Sequence, residues 1–133
     1  MIVIDASMAL RWVLAEELES EAIAARLYVG ERGGCVPGNF QTEVAHGLLQ
    51  AERRKRITAS DASAALADIM ELALKVELPN PHVIVSSARE YGLTGYDAAY
   101  LALALQVGIP IATVDEQLRN AARSARVLWQ SHS

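Results

Sequence analysis

The 133 residues are enough for one domain around one apolar core. The single cysteine, Cys35, excludes an intrachain disulfide, and no apolar run approaches the roughly 18 residues that a membrane-spanning helix needs. A net charge of −4 and a pI near 5.3 argue against a nonspecific nucleic-acid coat, which requires cations to neutralise phosphates. The balance changes if four carboxylates belong to one site, because 12 of the 16 acids then face 12 Lys and Arg. The opening residues carry an acid inside a short apolar run and no basic stretch before it, unlike a signal peptide. The expectation is a cytoplasmic protein in a reducing compartment.

Ile2–Val3–Ile4 is a β-branched run that reads as a buried strand. It leads directly into Asp5, Ser7 and a helix with Ala9, Leu10, Trp12, Val13 and Leu14 at helical spacing. An amphipathic helix is expected from Glu16 to a stop near Gly30. A brief strand at Cys35–Val36 meets Pro37–Gly38. The next helix runs from about Asn39, a plausible N-cap, to Arg53, with Phe40, Val44, Ala45, Leu48 and Leu49 inward. The run Arg53–Arg54–Lys55–Arg56 suits the negative end of that helix.

Thr58 or Ser60 caps a helix reaching about Ala73, and Val76–Glu77–Leu78 reads as a weak strand before Pro79. His82–Tyr91 is helical and stops at Gly92. Tyr96–Val107 is a strongly apolar helix closed by Gly108. A strand over Ile109–Thr113, a helix from Asp115 to Arg123 and a short strand at Val127–Leu128 complete the chain. Strands alternating with helices indicate βαβ units, a parallel sheet and right-handed crossovers. The expected fold is a three-layer α/β/α sandwich, one domain over residues 1–133, with a central parallel sheet of four to five short strands.

Ligands of open parallel sheets bind beyond the carboxyl ends of the strands. Asp5 follows the first strand, and Asp115 stands two residues past Thr113 at the end of a later one. Glu43 lies in the first or second turn of its helix, and Asp97 opens the apolar helix Tyr96–Val107. Each has an ordinary explanation: Asp5 and Asp115 as helix caps, Asp97 as a charge favoured at a helix start, Glu43 as a solvated residue. The helix around Asp97 sharpens the case. No other charge occurs through Leu105, so Asp97 sits at the mouth of a buried helix with no base close in sequence. A metal ion would resolve that.

Four segments now carry a specific likeness. Ile2–Leu14 (IVIDASMALRWVL), Val36–Val44 (VPGNFQTEV), Tyr96–Ala104 (YDAAYLALA) and Thr113–Leu118 (TVDEQL) occur in the order of the PIN-domain motifs. The chain resembles PIN-type endoribonucleases, in particular the VapC toxins of type II toxin–antitoxin pairs. The resemblance implies hydrolysis of RNA phosphodiester bonds dependent on Mg²⁺ or Mn²⁺, leaving 5′-phosphate and 3′-hydroxyl ends. It assigns Asp5, Glu43 and Asp97 to a first ion and Asp115 to that ion or a second. Hard divalent cations prefer such oxygen ligands.

Ser7 and Thr113 either hydrogen-bond the carboxylates or an ion-bound water, or bond only backbone. Arg11 is the RNA-contact candidate nearest the cleft, and the run Arg53–Arg56 is either a phosphate contact or a solvated face. His46, His82 and His132 show no zinc spacing. The family further implies a cognate antitoxin and a homodimer, with Trp12 and Leu18 as interface or core residues. Two rivals remain. One is a non-catalytic PIN-fold module that binds RNA or a partner. The other is an α/β phosphotransfer domain, disfavoured because Ala6 and Ser7, not a second acid, follow Asp5.

Overall fold

The computed structural model describes residues 1–131. The elements are β1 (Ile2–Ile4), α1 (Ala6–Leu14), α2 (Ser20–Arg32), β2 (Gly34–Val36), α3 (Phe40–Arg53) and α4 (Ala59–Met70). They continue with β3 (Leu74–Val76), α5 (Pro81–Tyr91), α6 (Gly95–Val107), β4 (Ile111–Ala112) and α7 (Glu116–Ser124). The strands form one parallel sheet in the order β3-β2-β1-β4. Helices on both faces complete a three-layer α/β/α sandwich: α1 packs with α2, α3 and α4, while α6 packs with α5, α7, β1 and β4. No helix among the described residues is long and apolar enough to cross a membrane.

Burial follows position in the sheet. β1 and β2 are buried at every residue, which is why their sequences are uninterrupted runs without alternation. The core continues through α6, where every residue from Ala98 to Ala104 is buried. Its start is set by Thr94, whose side chain accepts the Asp97 N–H, and its end by Gly108, which adopts the left-handed conformation (φ 75°) expected of it.

Several boundaries differ from the sequence expectation, each for a local reason. The third strand lies at Leu74–Val76, not Val76–Leu78, because its ladder pairs Gly34 with Leu74 and Val36 with Val76. It is the sheet edge, so Leu78 beyond it stays 77% exposed. The last strand shrinks to a single bridge between Leu128 and Ile111, the chain entering it through a left-handed Arg126 (φ 61°). Helix α2 starts at Ser20, since Ala15 leaves α1 extended and Glu19 is the N-cap. It passes through Gly30 and ends at Gly33 (φ 80°). Thr58, not Ser60, caps α4 in a reciprocal box with Asp61, and that helix ends at Met70.

The apolar surface also differs in part. Trp12 and Leu18 pack partly buried against the core, and the Trp12 indole donates to the Ala22 carbonyl at 2.9 Å. Leu18 sits between α1 and α2. Leu49 faces solvent, as do Ile23 and Leu27 of α2.

Helices α1 and α3, which carry site residues at their starts, approach closely at Gly47. A Cβ added there would fall inside van der Waals contact of both Leu10 methyls. Alanine in place of glycine inside a helix ordinarily stabilises by about 0.5–1 kcal/mol. Overpacking costs about 1–3 kcal/mol. Gly47→Ala should therefore lose about 1–2 kcal/mol in urea unfolding, and a gain in stability would show that Leu10 yields freely.

Candidate active site

Asp5 emerges from β1 and at once becomes the N-cap of α1, its Oδ1 accepting the Met8 N–H at 3.0 Å. Because the strand before it is fully buried and the helix begins with the next residue, the carboxyl cannot swing to solvent and is only 3% exposed. The Ser7 hydroxyl donates to its two oxygens at 2.9 and 2.8 Å, and Thr113 Oγ1 donates to Oδ2 at 2.7 Å. Thr113 is fully buried just beyond β4 and accepts the Asp115 N–H at 3.0 Å. One hydroxyl thus ties the first acid to the fourth. Asp115 is the N-cap of α7, where Oδ2 accepts the Leu118 N–H at 2.9 Å.

Asp97 occupies the first turn of α6 and Glu43 that of α3. Glu43 Oε2 accepts the Tyr100 hydroxyl at 2.9 Å and the Asn39 side-chain amide. The same Asn39 nitrogen donates to the Tyr96 carbonyl at 3.3 Å, beside Asp97. Asn39 stands at the expected N-cap position, but its backbone is helical and its side chain makes no capping bond. Its amide serves Glu43 instead.

Burial pushes the Asp5 carboxyl up to about 6, with the charge of Asp115 adding to the effect and the three donors opposing it. Asp97 is raised by burial and then by Asp115. Glu43 is raised by burial and more weakly by Asp97, against Tyr100 and Asn39. Tyr100 is itself held protonated by burial and by the charges of Glu43 and Asp5. The four acids therefore form a connected set in which neighbours feel one another's charge. The ion pairs among the described residues, Arg11–Glu19 and Lys75–Glu77, lie elsewhere.

This all-oxygen, uncompensated donor set suits a hard divalent cation. As the side chains stand, no three acidic, histidine or cysteine groups among the described residues converge on one point. A cation that keeps several waters and takes one or two carboxylates directly meets that restriction, and Mg²⁺ is such an ion.

The remaining expected residues fall in different places. Arg11 is paired with Glu19, so its guanidinium is engaged. Arg53–Arg56 are exposed on a turn whose Lys55 is left-handed (φ 59°). His46 and His82 are exposed, and His132 lies outside the described residues. Asn39 and Tyr100 went unrecognised as site residues in the sequence. The available signals were an amide four residues before Glu43 and a lone hydroxyl in an aliphatic buried helix, which needs a partner.

Asp5 makes metal-free stability depend on pH. Below about pH 4 the carboxyl is protonated whether the chain is folded or not, and its burial carries no charge penalty. Between the unfolded value of 3.8 and the folded value of about 6 the folded state holds the extra proton, so stability falls as pH rises. Above about 6 the loss reaches about 3 kcal/mol. Metal-free Asp5→Asn should melt above the wild type near pH 8 and lose that advantage near pH 4. Thermal scans across pH that show a constant difference would contradict the charge-burial account.

Comparison with known proteins agrees with this architecture. A family model described as "PIN domain" matches residues 2–124. The chain is 32% identical over 126 residues to the VapC ribonuclease Mb0985 of Mycobacterium bovis, covering 93% of each chain. The crystal structure of PAE2754 from Pyrobaculum aerophilum is similar with a TM-score of 0.70 and 26% identity, over 90% of this chain and 83% of that one. Mycobacterium tuberculosis VapC20, described as a Sarcin-Ricin loop cleaving toxin, has a TM-score of 0.64 over 100% of both chains. At 18% identity that likeness is one of fold alone. By the extent of the family match and the full-length identity to a VapC ribonuclease, the chain belongs to the PIN-domain family, among the VapC ribonucleases.

Proposed function

We propose that the chain is a metal-dependent endoribonuclease, the toxin of a type II toxin–antitoxin pair, working with Asp5, Glu43, Asp97 and Asp115. The observation that carries the reading is that four acids from distant segments feel one another's charge at one sheet edge, with no cation among the described residues in an ion pair with any of them. Kinship to proteins named as ribonucleases supplies the reaction class. A divalent cation bound there neutralises charge that develops on the phosphate and makes a water nucleophilic at neutral pH.

The chain's own groups do the placing. Ser7, Thr113 and the Met8 amide fix Asp5 and favour its ionised form against burial. Thr113 sets Asp115 through the backbone, and Thr94 sets the first turn carrying Asp97. In hydrolysis a water oxygen gives up a proton to solvent and bonds to phosphorus opposite the 3′ oxygen, whose bond to phosphorus breaks as it takes a proton, giving 5′-phosphate and 3′-hydroxyl ends. Arg11 shares its guanidinium with Glu19, whereas Arg53–Arg56 make no ion pair among the described residues.

Two protein partners belong to the same reading: a cognate antitoxin whose basic side chain enters among the acids, and a second copy of the chain. A cytoplasmic location goes with them. The competing reading is a PIN-fold module that binds without cutting, favoured because no three ligands converge among the described residues.

Structured RNA incubated with the protein and Mg²⁺ or Mn²⁺ separates the two. Cleavage that EDTA abolishes supports the nuclease, and metal-independent binding with intact RNA supports the module. Loss of hydrogen-bond partners around a metal ligand costs 10–100-fold, so removing a ligand should cost more. Asp97→Asn should therefore cut at least about 100-fold more slowly on denaturing gels, with an unchanged circular-dichroism spectrum.

A further inference from the structure

Glu43 is gripped by one of its two oxygens. Oε2 accepts both the Tyr100 hydroxyl and the Asn39 amide, and no described residue donates to Oε1. We propose that Asn39 and Tyr100 are positioning residues that lock Glu43 through Oε2 and present Oε1 to the cation. The inference rests on the metal-dependent nuclease reading of the same site.

A glutamate on a helix turn is mobile by default, and fixing such a side chain costs up to about 2 kcal/mol of rotamer entropy. Two donors converging on one oxygen define where the other points. Both donors are neutral. A lysine or arginine in either place would satisfy the charge of Glu43 and compete with a metal, whereas an amide and a phenol orient the carboxylate and leave its charge available.

The connectivity of Asn39 extends the argument. Its nitrogen carries two hydrogens, and besides Glu43 it reaches the Tyr96 carbonyl on α6. A single side chain thereby ties Glu43 to the turn that holds Asp97, fixing the spacing of two acids on different helices. Tyr100 lies three residues after Asp97 on α6, so one helix supplies an acid and the phenol that holds another. Asn39 does this at the expense of its usual employment. Asparagine at an N-cap contributes about 1 kcal/mol through its side chain, and here that capping bond is not made.

The test is Mn²⁺ affinity, measured by calorimetric titration of the purified full chain. Tyr100→Phe and Asn39→Ala should each weaken Mn²⁺ binding about tenfold. Glu43→Gln weakens it in its own right, and adding Tyr100→Phe or Asn39→Ala to Glu43→Gln should weaken it no further, because both residues act through Glu43. Asn39 is partly exposed, so its variant keeps the test open if loss of the buried phenol harms folding. Wild-type affinity in both single variants, or equal weakening with and without Glu43, would overturn the proposal alone. A wild-type chain that takes up no Mn²⁺ would overturn the nuclease reading and this positioning role together.

Discussion

A carboxylate kept out of water without a cation to pair with is the constraint around which this chain is arranged. Asp5 is 3% exposed and its neighbours within hydrogen-bond reach are two hydroxyls and an amide. Those donors favour the ionised form, yet burial outweighs them and the carboxyl rises to about 6. The position follows from covalent necessity. A strand buried at all three residues ends at Asp5, and a helix begins at the next residue, so the backbone holds the carboxyl at the edge of the core.

The parallel sheet explains why three more acids join it. With β1 between β2 and β4, the carboxyl ends of all three strands open on one edge. The helices that follow them, α1, α3 and α7, begin at that edge. Helix α6 leads back into β4 and so begins there too. Asp5 and Asp115 are N-caps, and Glu43 and Asp97 lie in first turns. Each acid thus stands where the partial positive charge of a helix start offsets its own charge by about 0.3–1 kcal/mol. Four helix starts aimed at one place make a cluster of anions tolerable, though not comfortable.

What the sequence reveals follows from the range of the interaction concerned. Short apolar runs ending in an acid mark β1 and the end of β4, because strand and cap are local. Gly108 marks the end of α6 for the same reason. The third strand slides two residues from its apparent place because register is a contract with β2, and Leu78 lies beyond that ladder, exposed. The partnership of Glu43 with Asn39 and Tyr100 stays hidden at its distant end. Asn39 precedes a helix, which reads as a cap, and Tyr100 sits in a run apolar on every side, where periodicity points nowhere. Only the fold, which brings the start of α6 to the start of α3 across the sheet edge, gives that hydroxyl its acceptor.

The donors that reach the acid side chains are neutral, while the Arg119 guanidinium donates to the Thr113 carbonyl instead. Hydroxyls, amides and one phenol donate to Asp5, Glu43 and Asp115, although a guanidinium in place of Tyr100 would pair with Glu43 and offset the Asp97 charge that raises it. Such a pair would stabilise the metal-free chain, but any incoming cation would first have to displace it, leaving a buried positive charge unpaired. With neutral neighbours the acids keep their mutual repulsion, and under the proposed function the energy of relieving it would appear as cation binding. Under the proposed function, a basic side chain from a partner protein would answer the same charge.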